Sequence, residues 1–355
     1  MELKIKEFVW ELTERCNLHC KHCGSDCTSS YKEELSLEDA LRVVEELEPF
    51  SIGRIVFSGG EPLLCPYWRE LAKAFHRRTE LGMVTNGTLM TEKTAQELKE
   101  YGFLVVSVSV DGLEESHDGR RGKGSFRQCM DALELIKNAG LVPAVNTTVT
   151  KEILTELPLL QQRLRESGVV SWQIQPAVHS GRMNEYRESL LSTDDIWSLI
   201  HLAYRSNSHG SLPTVFLAET IGYYSVEETL ARKMAYDSKK LPVWKGCPAG
   251  INTMAILSTG ELTGCIALRA EQFRERNVTD LWREGMTIAD YWKSPDAFKW
   301  RRNFRSEMLR GKCSGCKYAS YCLGGCSNVR YCSHKTLSGD NPFCVYAAEA
   351  EKFDG

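Results

Sequence analysis

The sequence predicts an α/β protein, in which a partial, TIM-like (β/α)6 barrel precedes a C-terminal cysteine-rich domain. Two observations support this fold. Strand-like and helix-like segments alternate from Lys4 to about Gln175, which favours a parallel sheet with right-handed crossovers. Eight of the 14 cysteines then fall between Cys247 and Cys344, at the other end of the chain.

The expected strands and helices follow from residue type and apolar spacing. The six strands are expected at Ile5–Leu12, Arg54–Phe57, Leu81–Thr85, Phe103–Val110, Val142–Thr150 and Ser171–Gln175. The helices between them are expected at Ser36–Leu47, Trp68–Arg77, Thr91–Glu100, Ser125–Asn138 and Thr155–Glu166. Six such units predict an open barrel whose active site lies at the carboxyl ends of the strands.

The alternation stops after about Gly181. A further helix is expected at Thr193–Arg205, but the polar stretch from Ser206 to Lys245 has no clear pattern. We therefore expect the barrel over residues 1–181 and the cysteine-rich domain over residues 245–355. A connecting region covers residues 182–244, and the pattern leaves its limits open.

Composition narrows the class of protein. Lys and Arg total 44 against 47 for Asp and Glu, which gives no support for nucleic-acid binding and favours small molecules or polypeptides as partners. No apolar run is long enough to cross a bilayer, and the N-terminus has no signal-peptide core, so no membrane association is expected. We expect a cytoplasmic protein, in which thiols stay reduced and closely spaced cysteines indicate metal binding.

The first cysteine cluster places Cys16, Cys20 and Cys23 at CxxxCxxC spacing just after the first strand. Three thiolates can hold three irons of a 4Fe–4S cluster and leave the fourth iron open to another ligand. Spacing alone also allows three unrelated thiols, or a zinc site completed by Cys27 or His22.

Three further segments follow in order, each at the end of an expected strand. They are Ser58-Gly-Gly-Glu-Pro62, then Thr85-Asn-Gly87, then Ser107–Gly112 with His117-Asp118 and Arg121-Gly122. Each segment alone also fits an ordinary turn or strand. Together with the cysteines, their order resembles the radical S-adenosylmethionine (SAM) superfamily over about residues 5 to 180.

The resemblance implies both cofactors and an activity. Cys16, Cys20 and Cys23 would hold a 4Fe–4S cluster that cleaves SAM reductively, and the resulting 5′-deoxyadenosyl radical would abstract hydrogen from a substrate. Glu61 would receive the SAM ammonium, and Ser109 and Arg121 would hold its carboxylate. The full set of implied SAM-binding residues is Gly59, Gly60, Glu61, Pro62, Asn86, Ser109 and Arg121.

The C-terminal cysteines carry a second resemblance. Seven of them, with Gly260, have the spacing of the SPASM extension found in radical SAM enzymes that modify peptides and proteins, over about residues 245 to 348. That resemblance implies two auxiliary 4Fe–4S clusters. One would lie on Cys313, Cys316, Cys322 and Cys344, and the other on Cys247, Cys265 and Cys326. Two zinc sites are the alternative.

The set of Cys247, Cys265 and Cys326 has one thiol fewer than the other set. Either Cys332 completes it, or one iron stays open or takes a ligand other than cysteine, which we favour. Packing or structural roles are expected for Cys27, Cys65 and Cys129. The polar residues at the end of the sixth strand either line a substrate cavity or merely end the strand; they are Gln173, Gln175 and His179.

The leading functional hypothesis is modification of a ribosomally synthesised precursor peptide by cross-linking, thioether formation or epimerisation. Flavodoxin or ferredoxin is the expected electron donor. Only 15 residues precede Cys16, so a separate protein or the barrel itself would recognise the leader. Haem or quinone-cofactor biosynthesis is one alternative, and a non-catalytic electron-transfer scaffold is another. A sulfatase-type formylglycine maturase is disfavoured, because those enzymes carry Asp where this chain has Ile266.

Overall fold

The computed structural model describes residues 3–27, 33–237, 239 and 244–348. Its strands form a single ten-stranded sheet. They are β1 Lys4–Glu11, β2 Ser51–Ser58, β3 Glu80–Thr85, β4 Phe103–Ser109, β5 Val142–Val149, β6 Ser171–Pro176, β7 Thr214–Leu217, β8 Thr253–Ile256, β9 Glu261–Thr263 and β10 Arg274–Asn277.

Strands β1 to β7 lie side by side in chain order, and all neighbouring pairs among them are parallel. The predicted parallel α/β architecture is therefore confirmed. The sheet is larger than the six strands expected, since β7 adds a strand beyond β6. On the opposite edge, β8 pairs parallel with β1, and β9 and β10 continue antiparallel from it.

The helices surround this sheet. They are α1 Leu37–Glu46, α2 Trp68–Phe75, α3 Glu92–Glu100, α4 Glu114–Arg121, α5 Ser125–Asn138, α6 Leu157–Glu166, α7 Thr193–Ser208, α8 Val226–Ala235, α9 Val278–Arg283, α10 Ile288–Lys293, α11 Lys299–Arg302, α12 Ala319–Cys322 and α13 Ser327–His334. All six expected helices are present, with ends shifted by at most three residues. Helix α4 and the helices from α8 to α13 were not predicted.

Aromatic residues fill the layer between the sheet and its helices. Phe8 and Trp10 of β1 are buried and in edge-on contact, and Trp10 also meets Phe75 of α2. Phe57 of β2 contacts both Phe75 and Phe103 in the same geometry. Burying one such side chain stabilises the fold by about 1.5–3 kcal/mol, so this layer holds the strand ends in a fixed arrangement.

The C-terminal part is continuous with the barrel rather than separate from it. Strand β8 lies beside β1, and Trp292 of α10 packs edge-on against Phe50, which lies between α1 and β2. The proposed limits at residues 181/182 and 244/245 stay predictions, because one sheet runs through all three parts. Among the described residues, no helix combines the length and the apolar character that spanning a membrane requires.

Candidate functional site

The loop after β1 brings the first three cysteines together. The thiols of Cys16, Cys20 and Cys23 act electrostatically on one another, so they lie near one another. Burial raises the pKa values of Cys16 and Cys20. A hydrogen bond from the Cys27 thiol lowers the pKa of Cys23 to about 5, which favours the thiolate that binds iron. This donor set of three converging thiols fits a 4Fe–4S cluster with one open iron.

The Gly-Gly-Glu segment after β2 touches the backbone of the cysteine loop. The Gly60 N–H donates to the Thr13 carbonyl at 2.8 Å, and the Glu61 N–H donates to the Arg15 carbonyl at 2.8 Å. A Cβ at Gly60 would lie 2.3 Å from the Arg15 oxygen, and one at Gly59 would lie 2.5 Å from the Thr13 oxygen. The two glycines are therefore required for the loops to meet.

Glu61 joins the loops that follow β2 and β3. Its fully buried carboxylate accepts hydrogen bonds from the Leu63 N–H at 3.2 Å, the Thr85 hydroxyl at 2.8 Å and the Asn86 N–H at 2.8 Å. Burial raises the pKa of Glu61 to about 7. A buried carboxylate whose hydrogen-bond donors are all neutral fits a cationic group of a ligand, such as the SAM ammonium. Its assignment to that ammonium stays a prediction.

The Asn86 side chain lies against the first cysteine. Its amide nitrogen is 3.9 Å from the Cys16 sulfur and donates to the Asn17 side chain at 2.9 Å. The Cys129 sulfur is 3.3 Å from the Asn86 carbonyl and 3.5 Å from the Ser109 carbonyl. Cys129 is thus a core residue, as expected, and it sits beneath two of the predicted SAM-binding segments.

A buried ion network at the end of β4 supports the cysteine loop from the other side. Asp111 binds the Arg121 Nε at 2.5 Å and the His22 Nε2 at 2.8 Å. Burial raises the pKa of Asp111, but Arg121 and His22 outweigh it, so the pKa is well below its usual range. Arg121 also approaches the Cys20 sulfur at 3.9 Å. Its predicted contact with the SAM carboxylate stays a prediction, and the observed partner is Asp111.

Arg182, which was not predicted as a site residue, forms hydrogen bonds with the cysteine loop. Its Nε donates to the Cys20 carbonyl at 2.8 Å, and its Nη1 donates to Asp26 at 2.6 Å. Its own N–H donates to the Cys23 carbonyl at 3.1 Å. A Cβ at the preceding Gly181 would lie 2.3 Å from that same oxygen, so a Gly-Arg pair after the sixth strand was the available sequence signal.

A second unexpected pair links the C-terminal part to β1. Glu11 is fully buried, although it lies in a strand of mainly apolar pattern, and Arg269 binds it. Both residues act electrostatically on Cys27. The sequence signal for this pair was Glu11, a charged residue within a strand. Its partner Arg269 could not be identified from a local pattern, because it lies more than 250 residues away in the sequence.

Of the residues predicted at the end of the sixth strand, His179 lies near the C-terminal part of the chain. Gln175 donates to the Thr148 hydroxyl at 3.2 Å. His179 is hydrogen-bonded to the backbone of Cys332, and burial lowers its pKa. Cys65 is buried, which raises its pKa to about 11 and is consistent with a packing role.

The C-terminal cysteines separate into two groups, and no thiol belongs to both. Cys322 interacts electrostatically with Cys313, Cys316 and Cys344, and these four form the first group. Cys326 interacts in the same way with Cys247 and Cys265, which form the second.

Cys332 lies apart from both groups. Its sulfur is 3.4 Å from the Asn328 oxygen, and burial and Lys335 are the influences on its pKa. The group of Cys247, Cys265 and Cys326 therefore has three thiols among the described residues.

Within the described ranges, no three His, Cys, Asp or Glu side chains converge on the scale of a single metal ion. The ligands of an iron–sulfur cluster stand farther apart, because irons and sulfides lie between them. Sets of four and three thiolates fit such clusters chemically, since soft sulfur ligands select iron–sulfur centres as well as zinc.

Comparison with known proteins assigns the family. Residues 10–154 match the family model described as the Radical SAM superfamily. The chain contains a radical SAM domain. The predicted resemblance to this superfamily is confirmed, and the family implies SAM and a 4Fe–4S cluster as cofactors.

Two curated relatives match almost the whole of this chain. It is 29% identical over 354 residues to the AdoMet-dependent heme synthase of Methanosarcina barkeri, covering 95% of each chain. It is 26% identical over 340 residues to the mycofactocin maturase MftC of Mycolicibacterium smegmatis, covering 95% of this chain and 82% of that protein.

Two solved structures share the fold. Native anSMEcpe with bound AdoMet has a TM-score of 0.73 at 19% identity, covering 97% of this chain and 95% of that one. Streptococcus suis SuiB bound to its precursor peptide SuiA has a TM-score of 0.73 at 17% identity, covering 95% and 75%. At these identities the likeness establishes the fold alone, and it extends through the cysteine-rich C-terminal part.

The contact at Gly60 predicts the effect of one added methyl group. We expect Gly60→Ala to push the cysteine loop away, lowering the free energy of unfolding by about 1–3 kcal/mol and abolishing the SAM-responsive EPR signal of the reduced protein. Gly119→Ala in α4 is the matched control, because its Cβ meets no atom within 4 Å. An unchanged signal in Gly60→Ala would show that the loop contact is not needed.

The hydrogen bonds from Arg182 to the cysteine loop are expected to slow the loss of the first cluster to a chelator. Losing hydrogen bonds from a charged group costs about 1.5–3 kcal/mol, so Arg182→Ala should speed chelator-driven loss of the SAM-responsive signal by about tenfold or more. Arg182→Lys should recover little, since an ammonium lacks the guanidinium fork that reaches several oxygens. The exposed Arg127→Ala is the control. Equal rates for Arg182→Ala and the control contradict this effect of Arg182.

Proposed function

We propose that this radical SAM enzyme modifies a ribosomally synthesised precursor peptide in the cytoplasm, forming a cross-link or thioether or epimerising a residue. The observation that carries the proposal is the whole-chain likeness to a named maturase, which spans the barrel and the cysteine-rich part together. The fold shared with SuiB, solved with its precursor peptide, supports the same reading. A flavodoxin or ferredoxin is the proposed electron donor, and a separate protein is the proposed leader-binding partner.

The proposal includes two auxiliary 4Fe–4S clusters. One uses Cys313, Cys316, Cys322 and Cys344, and the other uses Cys247, Cys265 and Cys326 with a position open to a non-cysteine ligand. The mutual electrostatic interactions within each group support this division. Clusters in this part of the chain can accept the electron that remains on a substrate after hydrogen abstraction and bond formation.

When bound, SAM and the first cluster supply a 5′-deoxyadenosyl radical that takes a hydrogen atom from the substrate. The chain's own residues hold and orient these groups. Cys16, Cys20 and Cys23 provide the thiolates, and Asn86 donates toward the first of them. Glu61 offers a buried acceptor to a cationic group. Buried side chains around the loop keep water away from the reacting centre.

The first experiment tests SAM cleavage. The anaerobically reconstituted full chain, reduced with dithionite, should convert SAM to methionine and 5′-deoxyadenosine, detected by liquid chromatography. Cys16→Ala removes one of the three thiolates and should give none above background. Equal nucleoside from both proteins, or none from either, would favour a non-catalytic electron-transfer scaffold.

The second experiment distinguishes peptide modification from haem biosynthesis. The gene neighbourhood is first searched for a short open reading frame, and the full chain is co-expressed anaerobically with the peptide that such a frame encodes, which is then analysed by mass spectrometry. A cross-link or thioether removes two hydrogens, and epimerisation in D2O incorporates one deuterium. The peptide from cells expressing the Cys16→Ala variant should be unmodified.

Haem biosynthesis is the second candidate, favoured by the 29% identity to a heme synthase over 95% of both chains. On that reading, an added porphyrin with carboxylate side chains stimulates 5′-deoxyadenosine formation and is itself altered, while the peptide is unchanged. This result would overturn the peptide proposal. Formylglycine formation is not proposed, because Ile266 has no group that can act as a base.

A further inference from the structure

Arg330 is a buried cation of α13 with no carboxylate partner among the described residues. Arg330 is only 2% exposed, and its Nε is buried without a hydrogen-bond partner. Its Nη1 donates to the Leu337 carbonyl. Burying a guanidinium without a counter-charge is costly, so a residue of this kind requires an anion nearby.

Cysteines of both C-terminal groups lie near Arg330. Helix α13 begins directly after Cys326, and the Arg330 N–H donates to the Cys326 carbonyl at 3.3 Å, one turn away. The guanidinium lies 5.0 Å from the centre of the Phe304 ring, and Phe304 packs in one apolar cluster with Cys313. Cys247, Cys313 and Cys326 all act on Arg330 electrostatically.

The surrounding chain is shaped to admit the guanidinium. A Cβ at Gly324 would lie 2.9 Å from the Arg330 Cζ, and the positive φ of +78° at Gly324 also disfavours a side chain there. The space taken by Arg330 therefore depends on a glycine in the turn just before Cys326. Arg330 thus occupies a space that Gly324 leaves open, close to cysteines of both C-terminal groups.

We infer that Arg330 is a positioning residue whose fixed positive charge raises the reduction potentials of both auxiliary clusters. This inference rests on the auxiliary clusters of the proposed function. A 4Fe–4S centre with thiolate ligands is anionic and gains one more negative charge on reduction, so a nearby buried cation stabilises the reduced form.

The test compares full-length wild type, Arg330→Met and Arg330→Lys after anaerobic reconstitution. Iron and sulfide per chain are measured first, and then each cluster is titrated reductively under EPR. In Arg330→Met, the ratio of reduced to oxidised auxiliary cluster at the wild-type midpoint should fall by about tenfold, equivalent to about 59 mV for one electron. Arg330→Lys moves the charge without removing it and should give a smaller fall.

Two controls isolate the effect of charge at this position. Arg302→Met removes an arginine of the same region that stacks on Trp292, and no cysteine is among the groups that act on its pKa. Its auxiliary potentials should match the wild type. The SAM-responsive first cluster is the internal control, and its potential should be the same in every variant.

Each outcome decides between the inference and the proposed function. Full iron content with unchanged auxiliary potentials in Arg330→Met overturns the role of Arg330 and leaves the auxiliary clusters in place. If Arg330→Met does not retain its clusters, the neutral Arg330→Gln is titrated in its place, and potentials equal to wild type overturn the inference. Wild-type protein with iron for the first cluster only overturns the proposed auxiliary clusters themselves, and the inference with them.

Discussion

The close contact between the cysteine loop and the Gly-Gly-Glu segment is the constraint on which the candidate site depends. The loop from Thr13 to Cys27 contains no helix or strand, so its shape is imposed by its neighbours. Backbone hydrogen bonds from Gly60 and Glu61 fix one side, and Arg182 fixes another. Because Gly60 has room for no more than a hydrogen atom, the thiols and the predicted SAM-binding segments are positioned together.

Local patterns predicted most of the barrel, and long-range pairing accounts for what they missed. Helix α5 was predicted at its observed limits, since its apolar residues repeat at helical spacing. Helix α4 was missed because Glu114–Arg121 contains no aliphatic or aromatic residue, and only His117 in it is buried. Strand β8 was missed because its four residues gain their place by pairing with β1, about 240 residues earlier.

The same distinction between local patterns and long-range contacts applies to the candidate site. The cysteine spacing and the Gly-Gly-Glu segment are local, so the sequence alone could place them near one another at the strand ends. The Asp111 network was not predicted, because it joins His22 and Arg121 across about a hundred residues. The role of Glu61 as a bridge to Thr85 and Asn86 was hidden for the same reason. Motif spacing identifies the ligands, whereas the groups that orient them emerge only after folding.

Buried arginines lie beside all three cysteine groups, but their charge is balanced differently. Near the first group, Arg121 binds Asp111 and Arg182 binds Asp26, so each cation is offset by a carboxylate. Near the C-terminal groups, Arg301 bonds the Cys247 backbone, and among the described residues neither it nor Arg330 pairs with a carboxylate. With the proposed clusters bound, an added electron would be stabilised more in the C-terminal part than at the first group. In the proposed function, this asymmetry would keep the first cluster more reducing than the auxiliary clusters, and electrons released by the substrate would move towards the C-terminal cysteines.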